Sequence, residues 1–197
     1  YIQNLCKYLL VLDDSNIKFV VIGIGDENSR IRFSKFVGLP IEFLEIEKDG
    51  SLHKKLGLSS GLNLNIGGFA NLLFMCGGIG SPGTIKEVIR GYIGDKESDQ
   101  IFLEDEDIHT GLLPVFKGKL FTRAFGNGFL RPFELATLRL GNMIEVLCNW
   151  KIYILDHNKL PQRGGTFLIN ENNELLYSHL PRALLGYSET MSHPLEF

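Results

Sequence analysis

Apolar residues recur along this chain with different periods, and each period predicts a different element. Ile2, Leu5, Leu9 and Leu12 fall at helical spacing, which predicts an amphipathic helix over 1–12 ending at Asp13–Asp14. KFVVIGI (18–24) is an unbroken, β-branched run, the pattern of a strand buried on both faces of a parallel sheet. Ile31, Phe33, Phe36 and Val37 then return to a helical period over 27–37, with Gly38 and Pro40 as the stop. IEFLEI (41–46) predicts a short edge strand, and 50–56 a short helix.

The middle of the chain is less regular. Residues 57–83 are rich in Gly and Asn around an apolar centre, NLLFMCGG, and are expected to be a connector. Ser81 and Pro82 open a helix to about Tyr92, with Thr84 and Glu87 at capping-box spacing. Residues 94–131 show little periodicity. The longest predicted helix runs from Pro132 to Trp150, with Phe133, Ala136, Leu140, Ile144, Leu147 and Cys148 down one side. After a linker over 155–163, GGTFLINENNELLYSHL (164–180) predicts a hairpin whose polar tip is Glu171, Asn172 and Asn173. The tail 181–197, with turn residues at Pro181, Gly186 and Pro194, is expected to be loop.

One parallel βα pattern early and one hairpin late is the layout of a thioredoxin-like sheet. The expected fold is therefore α/β: such a sheet flanked by helices, in a single domain over 1–197. A long insertion over approximately 57–131 precedes the C-terminal β-hairpin. A helix followed by a parallel-type strand also implies an earlier strand, since parallel crossovers join strand to strand. That strand is expected N-terminal to Tyr1, or its slot between 18–24 and the hairpin is filled by a neighbouring segment. The N-terminal portion is thus expected to be incomplete.

Composition narrows the function classes. With 44% hydrophobic and 22% charged residues the chain is ordinarily globular, and its net charge of −3 gives no general attraction to nucleic acid. No apolar run reaches the roughly 18–20 residues of a membrane span. Cys6, Cys76 and Cys148 are odd in number and lack CxxC spacing, which points to a reducing compartment and away from disulfides or zinc. The histidines are scattered, so no metal and no cofactor is expected.

Three stretches imitate functional motifs. Gly23-Ile24-Gly25 after a buried strand resembles a dinucleotide fingerprint, but Asn28 holds the third glycine position and Asp26 and Glu27 would repel a pyrophosphate. A tight strand-to-helix turn whose acids complement the helix dipole fits better. The glycine-dense run Cys76–Thr84 could cradle an anion, but it lacks the Lys of a P-loop, and a connector before a capped helix fits better. Lys7 could favour a Cys6 thiolate and Cys148 lies on an apolar helix face, where cysteines are inert.

The segments VVIGIGDENSRIRFSKFVGLP, SLHKKLGL and GGTFLINENNELLYSH resemble the peroxiredoxin-like branch of the AhpC/TSA superfamily, and within it a cyanobacterial and plastid subgroup. CGGIGSPGTIKEVIRGYIGD and RPFELATLRLGNMIEVLCNW resemble that subgroup's insertion. The resemblance implies a thioredoxin-like fold, an antioxidant label, and a place in the chloroplast stroma or cyanobacterial cytoplasm, at or near the thylakoid surface. True peroxiredoxins carry their reactive Cys in a P-x-x-x-T-x-x-C motif at a helix start, where the dipole lowers its pKa. This chain has no such motif, and Gly164–Gly165 stand where a thioredoxin has a cis-proline. No catalytic residue is carried over. Two functions follow: a non-catalytic accessory or docking subunit in a photosynthetic context, or a thiol peroxidase whose reactive Cys lies upstream of Tyr1.

The candidate partner-binding segment lies inside the insertion. Residues 95–107 are acidic, whereas 116–131 carry Lys117, Lys119, Arg123 and Arg131 with Phe116, Phe121, Phe125 and Phe129 and no acid. Such interleaving suits a protein partner, a photosynthetic complex being the one the resemblance suggests, with peripheral membrane association compatible. Nucleic acid is not expected. The competing reading is an insertion that packs its phenylalanines on the parent domain and pairs its acidic and basic halves.

Overall fold

A computed structural model describes residues 1–111, 113–189 and 191–193. The chain divides into two compact units, Tyr1–Gly57 with Lys151–Asp156, and Leu58–Trp150 with His157–Phe197.

In the first unit the expected N-terminal helix is broken into α1 (Ile2–Leu5), a 3₁₀ turn (Cys6–Tyr8) and α2 (Leu9–Asp14). Tyr8 at φ −103°, ψ 2° leaves the α region and interrupts the ladder. Asn16, in the left-handed conformation that Asn tolerates, closes α2. Strand β1 (Val21–Ile24) leads through α3 (Glu27–Val37) to β2 (Leu44–Glu47), which pairs with β1 in parallel, Val21 opposite Leu44. This is the predicted βα crossover, but Ile22 is 40% exposed, so β1 is not covered on both faces. Arg30 locks the crossover by donating Nε–H to the Leu44 carbonyl (2.7 Å) and Nη2–H to Ile41 (3.0 Å). A 3₁₀ turn (Ile41–Phe43) occupies the first half of the predicted edge strand. In α4 (Ser51–Lys55), the free N–H groups of Leu52 and His53 are taken by the Glu47 carboxylate at 2.7 and 3.2 Å, and the His53 ring bonds it too.

The second unit begins with α5 (Gly68–Cys76), a helix inside the stretch expected to be a connector. Its start is fixed by backbone proximity: a Cβ on Gly68 would meet the His157 carbonyl oxygen at 1.8 Å. Next come α6 (Thr84–Ile93), β3 (Asp107–Ile108), β4 (Phe116–Lys117) and α7 (Lys119–Phe125). Helix α8 (Glu134–Cys148) starts later than predicted, because Phe133 is left-handed at φ +63°. A four-residue helix α9 (Trp150–Tyr153) follows α8, its residues from Lys151 on belonging to the first unit. The hairpin is β5 (Thr166–Ile169) with β6 (Leu175–His179), antiparallel as expected. Asn170 builds its turn, its Oδ1 accepting the N–H of Asn172 (3.0 Å) and Glu174 (2.8 Å), and Asn173 adopts φ +61°.

The sequence pattern predicts one thioredoxin-like sheet. Among the described residues the strands instead form three two-stranded ladders, β1 with β2, β3 with β4, and β5 with β6. The tail is loop as expected but is tied down. Leu184 donates to Thr84 Oγ1 (2.9 Å), Thr166 Oγ1 to the Tyr187 carbonyl (2.8 Å), and Ser192 Oγ to Asp95 (2.6 Å). Pro194 lies outside the described residues. Among those residues no helix is long and apolar enough to cross a membrane.

Candidate functional site

A reactive thiol needs a setting that favours its thiolate: a helix N-terminus, a nearby cation, little desolvation. All three thiols are free. Cys6 lies in the N-terminal 3₁₀ turn, and burial pushes its thiol up. Cys76 and Cys148 are the last residues of α5 and α8, the carbonyl ends of their helices, where the dipole opposes a negative charge. Partial burial pushes the Cys76 thiol up as well, and the Arg163 charge opposes this without overcoming it.

Both glycine-rich imitations resolve into helix starts. Asp26 Oδ1 accepts the Ser29 N–H (2.9 Å) while Ser29 Oγ accepts the Asp26 N–H (2.8 Å), closing a reciprocal cap on α3. A Cβ on Gly25 would strike that Ser29 hydroxyl at 2.2 Å, so the glycine serves the cap. Before α6, the Thr84 hydroxyl is not the expected cap. It bonds Ser81 Oγ at 2.6 Å and receives the Leu184 N–H, and both hydroxyl residues are fully buried beneath the tail. These two hydroxyls are therefore used inside the unit rather than offered to an anion.

The eight residues of the 116–131 segment divide sharply. Arg131 and Glu134 are wholly buried and paired, Nη2 to Oε1 at 2.5 Å. Glu134 also accepts the N–H groups of Ile101 (3.0 Å), Phe102 (2.8 Å) and Arg131 (2.9 Å), so one carboxylate fixes two turns of chain. Arg131 donates onward to Thr122 Oγ1 and the Phe102 carbonyl, both at 2.7 Å. Its guanidinium sits 5.6 Å from the centre of the Phe121 ring, a cation–π arrangement. Phe121, 6% exposed, stacks on Phe102 and touches Phe116, forming a core with Ile108.

Phe121 and Arg131 are therefore interior groups, which corrects their expected place on a partner-binding face. Phe116 and Phe129 are half-buried. Lys117 is exposed but pairs with Asp107 (2.9 Å) and donates to the Asp105 carbonyl (3.1 Å), across the β3–β4 ladder. The acidic and basic halves of the insertion do meet there. Lys119 and Arg123, one turn apart on α7, are left exposed, and so is Phe125 (42%) at the helix's end, on the side of the buried Phe121.

Sequence reading missed a polar cluster around Arg163. This nearly buried side chain donates Nη2–H to Met75 Sδ (3.0 Å), while its Nε has no bonding partner among the described residues. Tyr187, whose phenol is pushed up by burial, lies within reach of its charge. The only sequence signal was a cation directly before Gly164–Gly165. Among the described residues no three His, Cys, Asp or Glu side chains converge as metal ligands.

The family model described as AhpC/TSA antioxidant enzyme matches residues 4–183. Searches of curated proteins and of solved structures give no match. The chain belongs to the AhpC/TSA family, within the thioredoxin-like superfamily.

Proposed function

We propose that this AhpC/TSA family member is a peroxiredoxin-like protein acting without a peroxidatic thiol, as an accessory subunit that docks on a protein partner. The observation that carries the reading is the placement of its thiols. One is raised by burial in a short turn, and the other two stand at helix carbonyl ends, one of them also raised by burial. The docking region we assign is the exposed residues of α7, the cations Lys119 and Arg123 along it and Phe125 at its end, which suit an acidic surface with an apolar recess. The photosynthetic setting, at the stromal or cytoplasmic side of a thylakoid, rests on the subgroup resemblance alone.

The test is retention of a thylakoid-associated protein by immobilised chain, compared with a Lys119→Glu, Arg123→Glu, Phe125→Ala variant. Loss of the bound protein at an unchanged melting temperature is expected. Equal retention by the variant would refute the α7 assignment. A second reading, a thiol-dependent oxidoreductase, rests on the antioxidant-enzyme description of the matching family. It would show as peroxide consumption that Cys76→Ser abolishes.

A further inference from the structure

Helix α6 is amphipathic, but its polar side faces inward. Thr84 and Gly91 are buried, and Glu87 and Arg90 turn toward the rest of the unit. There Arg139 donates to the Glu87 carbonyl (2.7 Å), and Arg90 Nε bonds the Asp95 carboxylate (2.9 Å). Turned outward are Ile85, Lys86, Ile89, Tyr92 and Ile93, the four apolar ones 49–67% exposed. A surface helix in a free-standing unit normally shows the reverse. Phe133 extends this face: its ring meets Tyr92 edge-on at 6.0 Å and is 53% exposed. Its backbone sits at φ +63°, uncommon for an aromatic residue, and its N–H bonds the Tyr92 carbonyl (3.1 Å). Strain of this kind concentrates where a side chain is held for a purpose.

We propose that this face packs against α6 of a second copy of the chain, antiparallel, about a two-fold axis passing Ile89. The positions argue for a second copy over an unrelated partner. Set antiparallel about Ile89, the outward residues pair as Ile85 with Ile93, Lys86 with Tyr92, and Ile89 with itself. Isoleucine at i, i+4 and i+8 forms the ridge that packs into its own kind on a facing helix. Each Lys86 then meets an aromatic face and the carbonyl end of the other α6, both favourable for a cation. The one charge on the face is thus matched by the face itself, as a two-fold interface requires. Six side chains about half exposed offer roughly 500–600 Å² per copy, somewhat less than the ~800 Å² of a standard stable interface. The dimer should accordingly be of micromolar strength. This proposal is independent of the α7 docking reading.

Sedimentation velocity on the full chain over a concentration series tests it. The wild type should move from monomer to dimer in the micromolar range. Ile89→Lys, which sets two like charges face to face on the axis, should weaken association by roughly a hundredfold or more. Its circular dichroism should stay that of the wild type; if it does not, the milder Ile89→Ser should show the same direction of change. Ile85→Lys and Ile93→Glu should each weaken the dimer alone and restore it together, because the antiparallel register brings those positions face to face. A wild type monomeric at every soluble concentration overturns the proposal, as does a dimer indifferent to Ile89→Lys. A double variant that stays as weak as its parents overturns the antiparallel register. A monomer that uses this face to bind lipid vesicles or another protein overturns the second copy as its occupant.

Discussion

Arg131→Met removes one member of the wholly buried Arg131–Glu134 pair while keeping most of the stem's volume. Removing one partner of such a pair typically costs about 3–5 kcal/mol, because the other charge is left uncompensated in the interior. Here Glu134 would keep the N–H donors of Ile101, Phe102 and the residue 131 backbone, which places the loss near the lower end, about 3 kcal/mol. For a chain of this size that is a fall of about 6–12 °C in melting temperature. Glu134→Leu should be worse. It strands the guanidinium and also orphans those N–H groups, each worth about 1–3 kcal/mol. Arg131→Met with Glu134→Leu should be milder than Glu134→Leu alone, since no charge remains buried. Urea titrations followed by Trp150, the sole tryptophan, which packs edge-on against Phe69, would give the midpoints at constant slope. An Arg131→Met variant within about 1 kcal/mol of wild type, or strictly additive single effects, would refute the reasoning.

Three further outcomes follow from the same geometry. Phe121→Ala should lose about 3–5 kcal/mol, as core phenylalanines do, whereas exposed Phe125→Ala should stay within about 1 kcal/mol; equal losses in thermal melts would contradict their placement. Asp26→Ala should cost about 1 kcal/mol through its cap on α3, read as a shift in urea midpoint. Burial alone would raise the Asp95 carboxyl, but donors from Ser192, Ser98, the Glu97 N–H and Arg90 outweigh it and hold it far below the usual range. Its contribution is therefore complete above about pH 4 and falls away as the medium is acidified below that. The stability advantage of wild type over Asp95→Asn should shrink between about pH 4 and pH 2.5; an undiminished advantage would oppose this role for the Asp95 carboxylate.

What the sequence revealed depended on whether the determining groups were local. Helix α3 was readable because both ends are: Asp26 caps it with Ser29, and Gly38 stops it in the left-handed conformation. The β5–β6 hairpin was readable for the same reason, its turn being built by Asn170 and Asn173. Helix α5 was hidden, because its first residue is a glycine set against the distant backbone of His157. Thr84 carried a capping pattern, yet Ser81 and the tail claim its hydroxyl. Arg131 looked like a surface cation. The sign of its burial was Glu134 three residues ahead at a helix start, a spacing that serves surface and interior pairs equally. The inward polar face of α6 had no local sign at all, since periodicity gives the two faces of a helix but not which one turns in.

The most direct measurement is stopped-flow peroxide consumption by the purified chain against its Cys6→Ser, Cys76→Ser, Cys148→Ser variant. With one thiol raised in a turn and the other two at helix carbonyl ends, the two proteins should consume peroxide equally slowly. A cysteine-dependent rate near that of ordinary thiol peroxidases would contradict the non-catalytic reading, and its loss in Cys76→Ser alone would move the chemistry to the thiol beside Arg163.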